Sequence, residues 1–182
     1  MFLGQLIRHG RQTGAVLPSG QGLAKAMIDA IGPLPNQTAI VELGPGTGVF
    51  TKAILRRYPG HRLVAVEANP EFVSRLRADL PTVPVVQGCA SILVDHLAAH
   101  HLAPSDVGVV VSGLPLLSLP GDLPQRILAA IAAVLPPGRS YVQFTYAPRA
   151  WKRFAMPGFS AGPSRRVWLN LPPATVMRFV RN

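Results

Sequence analysis

The sequence predicts an α/β fold in which a mostly parallel sheet of seven strands is covered by helices on both faces. Apolar strand-like runs alternate with helix-like segments from residue 38 to residue 146, which is typical of parallel sheets with two covered faces. Two further strand-like runs, 165–171 and 175–180, have no helix between them. This terminal pair predicts an antiparallel edge on the sheet.

The individual elements follow in chain order. An amphipathic helix is expected over residues 1–10, a loop over 13–20, and a helix over 23–31 that Gly32-Pro33 ends. The strands expected before the terminal pair are 38–43, 62–67, 83–87, 107–112 and 140–146. The helices expected between them are 49–58, 70–80, 91–101 and 123–135, with Asn69 as N-cap and Pro70 in the first turn of the second.

The most informative stretch is Val41-Glu42-Leu43-Gly44-Pro45-Gly46-Thr47-Gly48. Its three glycines allow a sharp turn and a close approach to a ligand, because a Cβ would collide there. The next strand ends in Glu67, nineteen residues after Gly48, and so places an acid where a ribose would lie. A glycine turn followed by such an acid predicts an adenosine site on a doubly wound sheet.

The glycine spacing and the acid before it favour one cofactor. A dinucleotide turn has the spacing G-x-G-x-x-G so that a pyrophosphate can sit on the helix N-terminus, whereas this chain has G-x-G-x-G preceded by Glu42. A carboxylate would repel a pyrophosphate and attract the ammonium and sulfonium groups of S-adenosylmethionine (SAM). We therefore predict that the chain binds SAM.

Composition limits the class of protein. The 182 residues, 48% of them hydrophobic, fit one packed domain. No apolar run reaches the roughly 18 residues that span a bilayer, and the N-terminus does not resemble a signal peptide. The single cysteine, Cys89, excludes an internal disulfide and favours the cytoplasm.

The charge of the chain is large and unevenly placed. The net charge is +10, and no acid precedes Asp29 or follows Asp122. Both ends therefore suit an anionic partner, which would be a lipid headgroup layer or a nucleic acid. A basic surface that serves only solubility is the alternative.

The stretch V-E-L-G-P-G-T-G-V-F-T-K-A-I-L resembles the first motif of Rossmann-like class I SAM-dependent methyltransferases. More narrowly, the chain resembles the bacterial phospholipid N-methyltransferases, which convert phosphatidylethanolamine stepwise to phosphatidylcholine. The stretches that carry this narrower resemblance are 13–19, 110–120, 142–148 and 170–174. The ribosomal RNA adenine dimethyltransferases are more distantly similar. The resemblance implies an N-terminal helix and cofactor-covering loop over 1–20 and a methyltransferase domain over 21–182.

The resemblance also implies a set of SAM-binding residues. They are Glu42, Gly44, Gly46, Gly48, Glu67, Ala68, Cys89, Ala90, Ser112, Thr13 and Ser19. Glu67 would bind the ribose hydroxyls through charge-assisted hydrogen bonds. The chain has Gly88-Cys89-Ala90 where the family has Gly-Asp-Ala. Because cysteine is a poor acceptor, the adenine contact would be weaker or would come from the backbone.

The methyl acceptor is expected beside Ser112-Gly113-Leu114-Pro115, at the end of the fourth strand. Related adenine methyltransferases have Asn or Asp at the position of Gly113 and an aromatic residue at that of Leu116. Backbone carbonyls of Gly113 and Leu114 and the Ser112 hydroxyl would replace them, which favours an aliphatic amine over a flat base. Tyr146 is a candidate for orienting the amine, by its hydroxyl or by cation–π attraction; a buried core tyrosine is the alternative.

The basic ends are interpreted as contacts with a lipid and its membrane. Arg165 and Arg166 are candidates for the lipid phosphate. The membrane-binding residues expected on the first helix are Phe2, Leu3, Leu6, Ile7, Arg8 and Arg11. The protein would then lie in the cytoplasm on the inner face of the membrane, with no obligate protein partner. His96 and His100 have a metal-ligand spacing, but no second ligand pair accompanies them, so no metal is predicted.

Two other functions stay open at this point. The first is RNA adenine-N6 methylation, in which the basic ends would bind phosphates; the missing aromatic residue weighs against it, and no nucleic-acid partner is expected. The second is a non-catalytic module that binds SAM or lipid, for which Cys89 is the main indication.

Overall fold

A computed structural model of the protein describes residues 18–151, 154 and 156–182, with side chains from residue 20 onward. Within these residues seven strands form one sheet in the order β3-β2-β1-β4-β5-β7-β6. The strands are β1 Ala39–Leu43, β2 Arg62–Glu67, β3 Val85–Gln87, β4 Val107–Ser112, β5 Ser140–Thr145, β6 Phe159–Val167 and β7 Ala174–Arg181. Strands β1 to β5 pair in parallel, and β7 pairs antiparallel with both β5 and β6. The predicted fold class is confirmed.

The helices cover the two faces of this sheet. They are α1 Pro18–Ile31, α2 Val49–Arg57, α3 Pro70–Asp79, α4 Leu93–Ala99, α5 Leu123–Val134 and α6 Pro148–Trp151. On one face α1, α2 and α3 contribute core residues such as Met27, Ile54 and Leu76. On the other face α4, α5 and α6 contribute Leu93, Ile131 and Trp151. Both faces of the central parallel strands β1 and β4 are buried as a result, which explains their largely apolar sequences.

The local signals for α3 act as predicted. Asn69 has an extended backbone, and its side chain accepts a hydrogen bond of 2.9 Å from the N–H of Glu71. Pro70 occupies the first turn, where its missing N–H costs nothing. Elsewhere, the predicted ends of the central elements agree with the observed ones to within a few residues.

The predicted strand over 165–171 is wrong in its position. The observed β6 is Phe159–Val167, and residues 168–171 form a turn. Since β6 is an edge strand whose residues are mostly exposed, it lacks the apolar alternation by which strands are recognised. Its Gly162 and Pro163 further hide it, and such residues are tolerated only at an edge.

Two helical segments also differ from the prediction. Helix α1 includes residues 18–20, which were expected in a loop, because proline is well suited to a first helical turn. The short helix α6 was not predicted. The predicted helix over 1–10, its membrane residues between 2 and 11, and Thr13 lie outside the described residues. Ser19 lies in α1, and its side chain is also outside the description.

The direction of β6 matters for the site. Since β5 and β6 are both antiparallel to β7, they run the same way and end at the same edge of the sheet. Thr145 of β5 pairs with Thr175, which pairs with Arg166 of β6. Arg166 therefore lies two strand spacings, about 10 Å, from the end of β5. None of the helices described by the structure is long and apolar enough to cross a membrane.

Candidate active site

The glycine turn after β1 joins the ends of the neighbouring strands. Gly44 N–H donates to Val66 in β2 at 2.9 Å, and Gly113 N–H donates to Leu43 at 2.8 Å. The loops after β1, β2 and β4 consequently meet in one place. This is the carboxyl edge of a doubly wound sheet, where ligands bind at the point of reversal in strand order.

All three glycines of the turn have positive φ angles: 67° at Gly44, 55° at Gly46 and 79° at Gly48. A Cβ on Gly44 would lie 2.6 Å from the side chain of Leu114, whereas a Cβ on Gly46 would meet nothing within 4 Å. The turn thus packs on the loop after β4 at one glycine and faces open space at the next. The open side is where the backbone can approach a ligand.

Glu67 connects the turn to the end of β2. Its two carboxylate oxygens accept hydrogen bonds from the N–H of Gly46 at 3.0 Å and of Asn69 at 2.9 Å. These contacts fix the carboxylate at the mouth of the crevice. Each oxygen has a second lone pair, so Glu67 retains the capacity to accept bonds from the two hydroxyls of a ribose.

Glu42 is fully buried, and neither of its carboxylate oxygens has a hydrogen-bond partner among the described residues. Burial raises the pKa of this carboxyl to about 7, and the negative charge of Glu67 adds to the shift. The nearby Thr51 opposes the shift in part, although its hydroxyl does not reach hydrogen-bonding geometry with Glu42. Buried acids are normally paired. The unpaired Glu42 therefore fits the ammonium group of SAM.

The segment expected at the adenine carries side-chain contacts of its own. The Cys89 sulfur lies 3.2 Å from the hydroxyl of Ser91, and the Cys89 carbonyl lies 3.1 Å from Nε2 of His96. Ala90 is buried in the core, whereas Ala68 after β2 is exposed. Ser91 is a polar group at this position that is not among the predicted site residues. Nothing resembling a metal cluster of three or more ligands occurs within the described part of the chain.

The loop after β4, predicted to be the acceptor loop, is held by its own backbone and by Ser112. The Ser112 hydroxyl is fully buried and accepts a bond of 3.2 Å from Leu114 N–H. The Leu114 carbonyl accepts from Leu116 N–H at 2.9 Å and from the Gln143 amide at 3.1 Å. Both lone pairs of that carbonyl are therefore engaged. Of the two backbone carbonyls predicted to bind the amine, those of Gly113 and Leu114, the Gly113 carbonyl is therefore the one with a lone pair to offer.

Gln143 is a residue of the site that the sequence analysis missed. It lies in β5 and is 1% exposed, with its amide donating to Leu114 and also to Phe144 at 2.6 Å. Its oxygen accepts from the Tyr141 hydroxyl at 2.7 Å, and burial raises the pKa of Tyr141. A glutamine within an apolar strand is the only signal in the sequence that points to this network.

A cavity of about 410 Å³ opens beside the acceptor loop. Its walls come from the loop after β4, the end of β5 and α6. The lining residues are Gly113, Leu114, Pro115, Leu116, Leu117, Ser118, Phe144, Thr145, Tyr146, Ala147 and Trp151. Tyr146 is half-buried and meets Phe144 edge-on, with ring centroids 5.5 Å apart. The predicted acceptor residues Gly113, Leu114 and Tyr146 thus share one apolar cavity.

The two arginines predicted to bind the lipid phosphate have different partners in the structure. Arg165 forms an ion pair of 3.0 Å with Asp29 of α1, and Lys25 on the same helix binds the same carboxylate at 2.8 Å. These cations lower the pKa of Asp29, with Lys25 contributing most. Arg166 instead lies over the ring of Trp168, 4.7 Å from its centroid.

The chain is similar in sequence to known methyltransferases. Residues 40–138 match the family model described as a methyltransferase domain. The chain is 33% identical over 178 residues to the ornithine lipid N-methyltransferase of Singulisphaera acidiphila, covering 96% of this chain and 91% of that protein. Ribosomal RNA small subunit methyltransferase A of Thiobacillus denitrificans is 40% identical over 60 residues, 33% of this chain and 22% of that one.

Solved structures share the fold at low identity. The 1,6-didemethyltoxoflavin-N1-methyltransferase of Burkholderia thailandensis, solved with S-adenosylhomocysteine, superposes with a TM-score of 0.71 at 16% identity, covering 100% of this chain and 86% of that one. The fold and the glycine turn with its two acids define a SAM-dependent methyltransferase. The family match over residues 40–138 and the nearly full-length relative show that the chain belongs to the methyltransferase-domain family.

Proposed function

We propose that this methyltransferase N-methylates the amine of a membrane lipid, with phosphatidylethanolamine and its methylated intermediates as acceptors. The observation that carries the proposal is the apolar cavity of about 410 Å³ that adjoins Gly113 and Leu114 at the carboxyl edge of β4 and β5. A cavity lined in this way suits a lipid better than a polar metabolite. The lipid N-methyltransferase that matches nearly the whole chain also supports it.

The residues present fit SAM. When bound, SAM supplies a methyl group on a sulfonium, which a nitrogen lone pair can displace. The Glu42 carboxylate would hold the ammonium group, and Glu67 would accept the ribose hydroxyls. The open side of Gly46 allows the backbone to approach closely, and the Ser91 hydroxyl beside Cys89 would contribute to the adenine contact.

The acceptor amine must lose a proton before it reacts, since an alkylammonium has a pKa of about 10.4 in water. Burial among the apolar cavity walls would lower that pKa, so a strong general base is not required. The Gly113 carbonyl would accept a hydrogen bond from the amine and aim its lone pair. Tyr146 in the cavity wall would orient the amine through its hydroxyl or ring face.

The same cavity is poorly suited to an adenine base. Gly113 offers no side-chain amide or carboxylate to the base edge, and Leu116 is 1% exposed and presents no stacking surface. The ribosomal RNA methyltransferase match covers only 33% of the chain. These features weigh against the RNA alternative.

The lipid would be taken from the inner face of the cytoplasmic membrane. Arg166, in register with the end of β5, is the better candidate for the lipid phosphate because Arg165 is paired with Asp29. The segment over residues 1–11 would add an amphipathic contact with an anionic surface. No obligate protein partner is needed for this function.

Ornithine lipid is a second candidate acceptor, favoured by the 33% identity with the relative of that name over 96% of the chain. This lipid also carries an amine but has no phosphate. Substitution of Arg166, the candidate for the lipid phosphate, can therefore distinguish the two acceptor lipids. Arg166→Gln should reduce methylation of phosphatidylethanolamine much more than methylation of ornithine lipid.

The test is transfer of labelled methyl from SAM to vesicles that contain phosphatidylglycerol and either candidate lipid, with ribosomal RNA as a third acceptor. Methylated phosphatidylethanolamine is expected. Product from ornithine lipid alone would move the assignment to that lipid, and product from RNA alone would overturn the proposal. Tyr146→Ala should lower turnover with SAM affinity unchanged, while Glu42→Gln controls for loss of SAM binding.

A further inference from the structure

The loop over residues 168–173, which connects β6 and β7, exposes large apolar side chains. Trp168, Leu169 and Leu171 are 72%, 91% and 86% exposed. Asn170 between them is only 5% exposed, and its amide donates to the carbonyl of Pro172 at 2.8 Å. The loop thus turns its polar side chain inward and its apolar side chains outward, the reverse of the ordinary pattern.

The conformation of this loop is defined by its own contacts and residues. The internal bond of Asn170 shapes the turn, and Pro172 and Pro173 restrict its backbone. Clustered exposed apolar side chains of this size mark a binding surface. The described residues elsewhere expose far less of their large apolar side chains, namely 45% for Ile92 and 43% for Val94.

The composition of the loop indicates the partner. Tryptophan is enriched at the interface between lipid headgroups and hydrocarbon, where its ring fits both environments. Arg166 lies over the Trp168 ring at 4.7 Å, so a tryptophan at this interface would bring a cation to the level of the headgroups. No acidic residue follows Asp122 in the sequence, so the loop has no nearby negative charge from its own strands. Asp29 is engaged by Arg165 and Lys25.

The position of the loop connects it to the site. Strand β6 runs in the direction of β5, so the loop leaves the sheet at the edge where the acceptor cavity lies. Arg166 is in register with Thr145, which lines that cavity. A bilayer that covered the loop would face the cavity and present lipid headgroups to it.

We infer that the 168–173 loop inserts Trp168, Leu169 and Leu171 into the headgroup region of an anionic phospholipid bilayer and so docks the cavity on the membrane. The inference deepens the proposed function and rests on it, because a lipid acceptor is what gives such docking a purpose. Its test reads insertion directly and does not depend on turnover.

The chain has two tryptophans, and their different surroundings give a direct measurement. Trp168 is exposed, whereas Trp151 is 5% exposed. Vesicles of phosphatidylethanolamine and phosphatidylglycerol containing brominated lipid should shift the emission of the full-length protein to the blue and quench it. The Trp168→Phe variant, which reports only Trp151 in the wall of the cavity, should show clearly smaller changes than the unmodified protein, and the difference between the two gives the signal of Trp168.

Binding is measured in parallel by vesicle flotation. The triple variant Trp168→Ser, Leu169→Ser, Leu171→Ser should bind about tenfold or more weakly, since each apolar side chain contributes to transfer from water. The double variant Ile92→Ser, Val94→Ser is the matched control. It removes exposed apolar side chains from another part of the chain, the connection between β3 and β4, and should bind like the unmodified protein.

Several outcomes would overturn the inference. These are unchanged vesicle binding by the triple variant, absence of Trp168 quenching, or no vesicle binding by the unmodified protein. A Trp168 emission already blue-shifted without vesicles would show that another segment or a second copy of the chain covers the loop.

The two proposals can fail separately. The triple variant should still methylate acceptor lipid dispersed in detergent micelles, which shows that it folds and that docking is what it lacks. Quenching without lipid methylation by the unmodified protein would remove the proposed function and keep the docking loop. Lipid methylation without quenching of Trp168 would support the proposed function and overturn the docking of the loop.

Discussion

Gly113 lies directly against Gly44, so that a Cβ built on Gly113 would stand 2.7 Å from the Gly44 carbonyl oxygen. The loop after β4 and the glycine turn after β1 therefore touch through their backbones at this point. At this position the chain has no room for the side chain with which an adenine methyltransferase would hold its base. The absence of a side chain at position 113 is therefore required by the packing of Gly113 on Gly44, whatever the methyl acceptor is.

Gly113→Ala should destabilise the protein by about 1–3 kcal/mol, the usual cost of overpacking a tight site. It should also weaken SAM binding, because the Gly44 turn must shift. Urea unfolding and calorimetric SAM titration measure the two effects. Gly60→Ala is the control, since a Cβ there would meet nothing within 4 Å; equal effects of the two substitutions would contradict the contact.

Gln143→Met should lower the rate of methyl transfer while leaving SAM affinity near normal. The substitution keeps the side-chain volume but removes the bond that holds the Leu114 carbonyl at 3.1 Å, so the acceptor loop is less well oriented. Unpaired buried partners should also cost about 1–3 kcal/mol of stability.

Tyr141→Phe separates these two effects. It leaves the Gln143 oxygen without the Tyr141 hydroxyl but preserves the contact with Leu114. Stability should fall while turnover stays close to that of the unmodified protein. If Tyr141→Phe lowers turnover as much as Gln143→Met, the role assigned to the Leu114 contact is wrong. Single-turnover kinetics and thermal unfolding on the same samples provide the comparison.

The parts of the fold that the sequence predicted are those in which local pattern and burial agree. Strand β4 could be predicted because all its residues are buried, and burial on both faces requires an apolar run. The glycine turn could be predicted because its three positions have positive φ angles, which favour glycine. Strand β6 lacks a recognisable pattern because it is mostly exposed, whereas the 168–171 segment resembles a strand in sequence because it is apolar.

The site shows the same division. Glu42, Glu67 and Gly113 could be found because short motifs fix their positions along the chain. Gln143 could not be found in this way, since its importance comes from the Leu114 carbonyl, 29 residues away, that the fold brings to it. A contact between residues that are far apart in the chain produces no motif of fixed spacing in the sequence.

The stability of the cofactor-free protein should fall as the pH rises from about 4.5 to about 7. Burial raises the pKa of Glu42 to about 7 in the folded state, against an ordinary value of 4.5, so between these values the folded state holds a proton that the unfolded chain has lost. The full cost, about 3 kcal/mol at 1.36 kcal/mol per pKa unit, is present above pH 7. Glu42→Gln should remove most of this slope and be the more stable protein at pH 8. An unchanged slope in unfolding experiments at pH 5 and pH 8 would assign the effect to another group.

SAM binding should tighten as the pH rises toward 7. The ammonium group of SAM favours the charged form of Glu42, so below its pKa of about 7 the carboxyl must release a proton when SAM binds. The dissociation constant should then rise about tenfold for each pH unit below this pKa and level off near neutrality. Calorimetry in two buffers of different ionisation enthalpy measures the released proton directly. In Glu42→Gln the binding should be weaker, independent of pH over this range and without proton release; the same pH dependence in the variant would mean that Glu42 does not meet the ammonium group.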